Sequence, residues 1–290
     1  MSGEIQAFLN EGINALKEGD TEFAIGQLTE AIKRDQRLWI ARYYRAICYK
    51  ITDRSHLALK DLLEAEAANS SQYELKMELG KVYMILKEGD LSEQCLRGAM
   101  KLKPSEVHGY YFLGLLKLLE NNVSMAREYF QTCDEMRPEF PDSKIQEGHI
   151  LMQMGTDEEA AISLFTQAIQ LDSMQADARQ GRLLIRLQAG RDLSRALDDA
   201  NFLLTYNQFH LGWRMARANL LIQYKRYDAA FLDIKRVLDV SSMNQDNFIW
   251  RTYKREQSID IQNAGKYLVG RLYGLSDKNQ AIIKRHSVKS

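Results

Sequence analysis

Five histidines and three cysteines are the side chains of this 290-residue chain best suited to hold a metal or to serve as nucleophile and base. Their spacing serves neither purpose. His56, His108, His149, His210 and His286 are scattered, and Cys48, Cys95 and Cys133 form neither a CxxC pair nor a metal-ligand pattern. The chain contains no HExxH, no GxSxG, no glycine-rich phosphate loop and no EF-hand loop. These absences point away from an enzyme and imply no cofactor and no metal. The cysteines read as small buried hydrophobes, and an odd, unpaired number of them fits a reducing, cytoplasmic setting.

Arginine offers a different chemistry. Arg179, Arg182 and Arg186 share one helix face by their spacing of three and four, with Arg191 and Arg195 close behind. They belong to an uneven charge distribution. Residues 1–175 carry 19 Lys and Arg against 28 Asp and Glu, whereas residues 176–290 carry 20 against 11, so a net charge of zero hides an acidic and a basic part. A basic patch of this kind attracts an acidic partner, a nucleic acid or an anionic surface. Nucleic acid is disfavoured, because few aromatics interleave with the arginines. Local pairing with Asp192, Asp198 and Asp199 is the competing reading, and head-to-tail self-association of acidic on basic part is another. Burying three guanidiniums in a packing seam is too costly unless they are paired. Either the helix rotates, or the arginine stems pack while their heads reach water.

What must position these residues is helical. Three prolines, 45% hydrophobic and 27% charged residues leave room for long helical content in a globular chain. No apolar run approaches the roughly 20 residues that span a bilayer, and Met1–Gln6 lack the basic and apolar regions of a signal peptide. Small residues recur every 34 positions, at Gly12, Ala46, Gly80, Gly114 and Gly148. So do Ala24, Ala58, Ser92 and Ala126, and likewise Ala31, Ala65, Ala99 and Cys133. Small residues at this period let the two helices of a hairpin cross closely, where a larger side chain would wedge them apart by about 1–3 kcal/mol.

This recurrence resembles the tetratricopeptide repeat family, most clearly over Val107–Phe140 with Tyr110, Leu113, Gly114, Ala126, Phe130, Cys133 and Pro138. The resemblance implies an all-α solenoid, a right-handed superhelix of helix-turn-helix repeats. Seven units follow at about 5–38, 39–72, 73–106, 107–140, 141–175, 176–210 and 211–244. One extra residue sits in the turn of the fifth, near Thr156 and Asp157. The sixth fits worst, with Leu183 where a small residue belongs. Residues 245–290 read as capping helices around Trp250 and Leu268 plus a basic tail, since a solenoid must cover its open end.

The resemblance also implies a non-enzymatic scaffold that binds a peptide or partner protein in its concave groove. By register the groove is lined by Tyr43, Ile47, Met77, Lys81, His108, Tyr111, Ile145, His149, Met152, Met215 and Asn219, together with Leu9, Ile13, Ile40, Met84, Leu115 and Leu118. An apolar stripe of this kind commonly marks a partner site. One branch of the family clamps acidic chaperone tails with Lys, Asn and Arg. At the matching positions this chain offers Leu9, Ile13, Tyr44, Glu74 and Glu78, which disfavours that ligand.

Overall fold

The computed structural model describes residues 2–242, which form fourteen α-helices in seven hairpins; among the described residues there is no strand. The expected capping helices and basic tail of 245–290 lie outside the described residues. Residues 1–143 and residues from 144 onward form two compact units, with the division falling inside one helix. The first unit holds α1 (Gly3–Glu18), α2 (Thr21–Arg34), α3 (Trp39–Ile51), α4 (Ser55–Ala68), α5 (Tyr73–Ile85), α6 (Gly89–Leu102), α7 (Val107–Leu119) and α8 (Val123–Met136). The division cuts α9 (Pro141–Met154). The second unit continues through α10 (Glu158–Leu171), α11 (Ala176–Ala189), α12 (Leu193–Tyr206), α13 (Leu211–Gln223) and α14 (Tyr227–Ser242).

Helices of 13–16 residues are marginal alone in water, so packing within each hairpin must hold them. A Cβ built on Gly12 would lie 2.7 Å from Leu28, one on Gly80 2.7 Å from Leu96, and one on Gly114 2.6 Å from the Phe130 ring. The large residue sixteen positions later occupies the space that the glycine vacates. Ser92 replaces the usual alanine without cost, since its buried hydroxyl donates to the Gly80 carbonyl at 2.8 Å. The sixth hairpin inverts this arrangement. Leu183 stands at the glycine position, and Ala200 stands where the other hairpins have Leu, Ile or Phe. Both are fully buried in one cluster with Leu203. The leucine that looked misplaced fills the volume its partner gave up.

The turn inside each hairpin is equally regular. At least one residue per turn adopts the left-handed conformation: Gly19, Asp53, Lys87, Asn121, Gly155, Gly190 and Lys225, with Asp192 as a second in the sixth turn. In the fifth and sixth hairpins two residues, not one, separate Gly155 and Gly190 from the next helix. Side chains then cap several helix starts: Asp20, Asn122 and Asp157 accept from the backbone N–H groups of Phe23, Met125 and Ala160, satisfying donors left open in the first turn.

An ionic cluster ties α3 to α5. The Glu78 carboxylate accepts from the Lys50 ammonium and, at 2.7 Å, from that of Lys81. Burial works against its charge, yet the two ammonium groups hold its pKa below the usual 4.5. A depressed carboxylate stabilises the fold above its unfolded pKa and loses that contribution as pH falls through the folded value. Acid titration of the protein below about pH 4.5 should therefore weaken the first unit. Glu78→Gln should be less stable at pH 7 and flatter over the acid limb, as followed by urea unfolding at a series of pH values.

Candidate protein-binding surface

The first helices of the hairpins carry the register-predicted surface, and each unit holds its own part. In the first unit, α1, α3, α5 and α7 contact one another in succession. Tyr43 is half-buried with its ring edge-on to Tyr44 at 5.2 Å, and burial together with Glu78 pushes its phenol pKa upward. Ile47 is half-buried. Lys81 is occupied by Glu78 and lies 4.6 Å from the Phe112 ring centre. Met77 is buried in a core cluster with Leu96 and Leu113. His108 is exposed and meets Phe140 edge-on, and Tyr111 packs among Phe112, Phe130 and Phe140 at 5.4–5.9 Å.

In the second unit, Ile145 and Met215 are buried in core clusters. His149 is half-buried, edge-on to Phe165 at 5.1 Å, and burial lowers its pKa, favouring the neutral imidazole. Met152 packs against the same cluster as Ile145, and Asn219 is half-buried. The register places these residues on one side of their helices, but depth divides them. Met77, Ile145 and Met215 belong to the interior, while Tyr43, Ile47, Lys81, Tyr111, His149, Met152 and Asn219 reach the surface in part.

In the first unit an apolar pocket of about 790 Å³ lies between the C-terminal parts of α5 and α7. Met84, Ile85, Leu115, Leu116, Leu118 and Leu119 supply its apolar lining, with Lys87, Gly89 and Glu120. Leu119 is 66% exposed and Ile85 50%. Met84, Leu115 and Leu118 stand at register-predicted positions. Ile85 and Leu119 do not, although their 34-residue spacing from each other and from Ile51 was a signal available in the sequence. A pocket of this size and character suits apolar side chains of a ligand.

The predicted basic patch is built differently. Three arginines of α11 converge on one carboxylate of α12. Arg179 donates to Asp199 at 3.3 Å, Arg182 through two bonds at 2.9 and 2.7 Å, and Arg186 at 3.1 Å. Asp199 is 0% exposed and Arg186 only 2%. Burial, with the neighbouring Arg182 guanidinium, pushes the Arg186 pKa down. Of the sequence alternatives, local pairing describes this outcome, with Asp199 alone taking all three arginines, while their heads turn inward to a buried partner instead of reaching water. Arg191 pairs at the surface with Glu158 and Glu159 at 3.0 and 2.8 Å, and Arg195 is exposed.

The arginine geometry recurs. Arg45 grips Asp61 and donates to Thr29, Arg182 grips Asp199 and donates to Thr166, and Arg217 grips Asp233 and donates to Asn201. Each arginine thus ties its hairpin to the helix before it. Three residues earlier in each helix, Arg42, Arg179 and Arg214 donate to the carbonyls of Gln36, Ser173 and Gln208 in the preceding loop. These guanidiniums are structural ties.

Among the described residues no group of three or more His, Cys, Asp or Glu side chains is placed to hold a metal ion. Burial pushes the Cys48 thiol up to about 11, far from a reactive thiolate. Among the described residues no helix is long and apolar enough to cross a membrane.

Residues 107–140 match the family model described as tetratricopeptide repeat. No curated protein matches the chain. Solved structures do. A tetratricopeptide repeat protein from Parabacteroides merdae is 14% identical, with a TM-score of 0.61 over 91% of this chain and 100% of that one. Yeast Tom70 is 18% identical, with a TM-score of 0.67 over 98% of this chain and 57% of that one. The pilF protein of Pseudomonas aeruginosa is 19% identical, with a TM-score of 0.59 over 74% of this chain and 97% of that one. At these identities the likeness is one of fold.

Proposed function

We propose that this chain, whose residues 107–140 match the tetratricopeptide repeat model and whose fold is that of solved tetratricopeptide repeat proteins, is a non-enzymatic scaffold that binds a peptide or a segment of a partner protein along the first-helix face of its hairpins. The observation that carries this reading is the apolar pocket between α5 and α7, open to solvent and lined by large side chains from adjacent repeats. Exposed apolar surface costs free energy that a partner recovers on binding. Three free cysteines, two of them buried, fit a cytoplasmic setting. An electrostatic reading through the basic patch is weaker, because Arg179, Arg182 and Arg186 are already committed to Asp199.

The test is a pull-down from the source lysate at high salt, followed by affinity measurement on the recovered partner. Met84→Glu with Leu118→Glu places two charges in the pocket. This variant should keep its helical circular dichroism and lose at least tenfold in affinity, about 1.4 kcal/mol. Unchanged affinity in a folded variant overturns the pocket as the binding site.

A further inference from the structure

We propose that the edge of the first unit formed by its four intra-hairpin turns docks a basic amphipathic helix of a partner protein. This inference rests on the binding reading above and names the partner's chemistry. Two rows of exposed apolar side chains follow that edge. Ile51, Ile85 and Leu119 are the last residues of α3, α5 and α7, and they are 59, 50 and 66% exposed. Phe23, Leu57, Leu91 and Met125 are each the third residue of the following helices, exposed by 51, 46, 42 and 36%.

The fold does not require apolar residues at these positions. In the second unit the last residues of α9, α11 and α13 are Met154, Ala189 and Gln223, and the third residues of the following helices are Ala160, Arg195 and Ala229. Of these six only Met154, 51% exposed, is a large apolar side chain, so the same turns are built there without the two rows of apolar teeth. Seven half-exposed side chains present roughly 700 Å² in the first unit, close to one partner's share of a stable interface.

Charge selects the partner. Across residues 17–23, 51–57, 85–91 and 119–125 there are seven acidic residues, Glu18, Asp20, Glu22, Asp53, Glu88, Asp90 and Glu120, all exposed. Lys17, Arg54 and Lys87 are the basic residues of the same stretches; Arg54 is paired with Glu22 and Glu120 with Lys117, so the acidic excess is carried by Glu18, Asp20, Asp53, Glu88 and Asp90. The complementary ligand is cationic.

Spacing selects its form. Neighbouring packed helices lie roughly 10 Å apart, so the teeth recur at about that interval. A helix advances about 10 Å in seven residues and returns the same face, so a partner with apolar heptad positions meets one repeat per heptad. An extended strand covers about 10 Å in three residues, an odd number that turns successive side chains to opposite faces. Two parallel rows also suit the paired apolar positions of a heptad better than a single file.

The probe is a fluorescein-labelled 24-residue peptide with Leu at the first and fourth heptad positions and Lys or Arg elsewhere, titrated with the full chain by anisotropy. A second peptide keeps the leucines and replaces the basic residues with Glu. The basic peptide should bind and the acidic one should bind at least tenfold more weakly. Leu57→Ser with Leu91→Ser, which changes no charge and lies outside the pocket, should weaken the basic peptide at least tenfold. Equal binding of both peptides, no binding of either, or no effect of the double variant overturns the proposal. If Met84→Glu with Leu118→Glu abolishes peptide binding while the turn variant does not, the pocket reading stands and the turn edge falls. Sedimentation is run in parallel. A wild-type dimer that the turn variant dissociates would assign the edge to a second copy and overturn the proposal equally.

Discussion

Replacing Asp199 with alanine is expected to destabilise the second unit by about 3–5 kcal/mol, the usual cost of leaving buried charges without their partner. Three guanidiniums meet on this one carboxylate, and Arg182 holds it through two nearly parallel bonds at 2.9 and 2.7 Å. Arg182 and Arg179 retain contacts to Thr166 and the Ser173 carbonyl, but Arg186 keeps no other hydrogen bond of its own in this network. With the carboxylate gone, three like charges would face one another at a site with 2% exposure at its deepest arginine. Asp198→Ala is the control, since that neighbouring carboxylate is exposed and surface changes usually stay within about 0.5 kcal/mol. The measurement is urea unfolding, with amide exchange on α11 and α12 to localise the loss. A cost below about 1 kcal/mol for Asp199→Ala would mean that water replaces the carboxylate and that the cluster is not a structural tie.

The second large effect is expected from the inverted pair Leu183 and Ala200. Leu183→Ala should cost about 2–5 kcal/mol, because it empties a site with 1% exposure and leaves a cavity beside Ala200. Ala200→Leu alone should cost about 1–3 kcal/mol by overpacking against the retained Leu183. Made together with Leu183→Gly, Ala200→Leu restores the arrangement of Gly12 with Leu28 and Gly80 with Leu96. The combined variant should recover most of the loss, with a coupling of about 1–3 kcal/mol. Additive costs would show that the two positions do not share one volume.

The sequence carried the hairpin period well, because close helix crossings leave glycine and alanine at fixed positions and large residues opposite them. Leu183 stood out as an exception for the same reason. Its compensation was harder to see, since it depends on a second position seventeen residues away that looks unremarkable by itself. The arginines of α11 raised the right energetic question, namely what could neutralise them. Spacing alone named three aspartates and could not show that Asp199, on the buried side of α12, takes all three. Register placed Met77, Ile145 and Met215 with Tyr43 and Met152 on a single face. How far each sinks depends on the stacking of neighbouring helices, which a helical wheel does not contain. Ile85 and Leu119 escaped notice for the opposite reason. They lie one position beyond the expected set, where the final turn of the helix opens to solvent.

Within each unit the helices pack chiefly on their neighbours in the chain. The contacts that hold a hairpin therefore join residues about sixteen positions apart, and those between hairpins join residues about a repeat apart. Such a topology has low contact order, and loop-closure entropy is small for every step. Folding can proceed hairpin by hairpin as the chain leaves the ribosome, without waiting for distant segments. The arginine ties make that order directional at the second, sixth and seventh hairpins. Each reaches back from a new hairpin to the helix already laid down, so at those steps a completed repeat becomes the template on which the next is fastened.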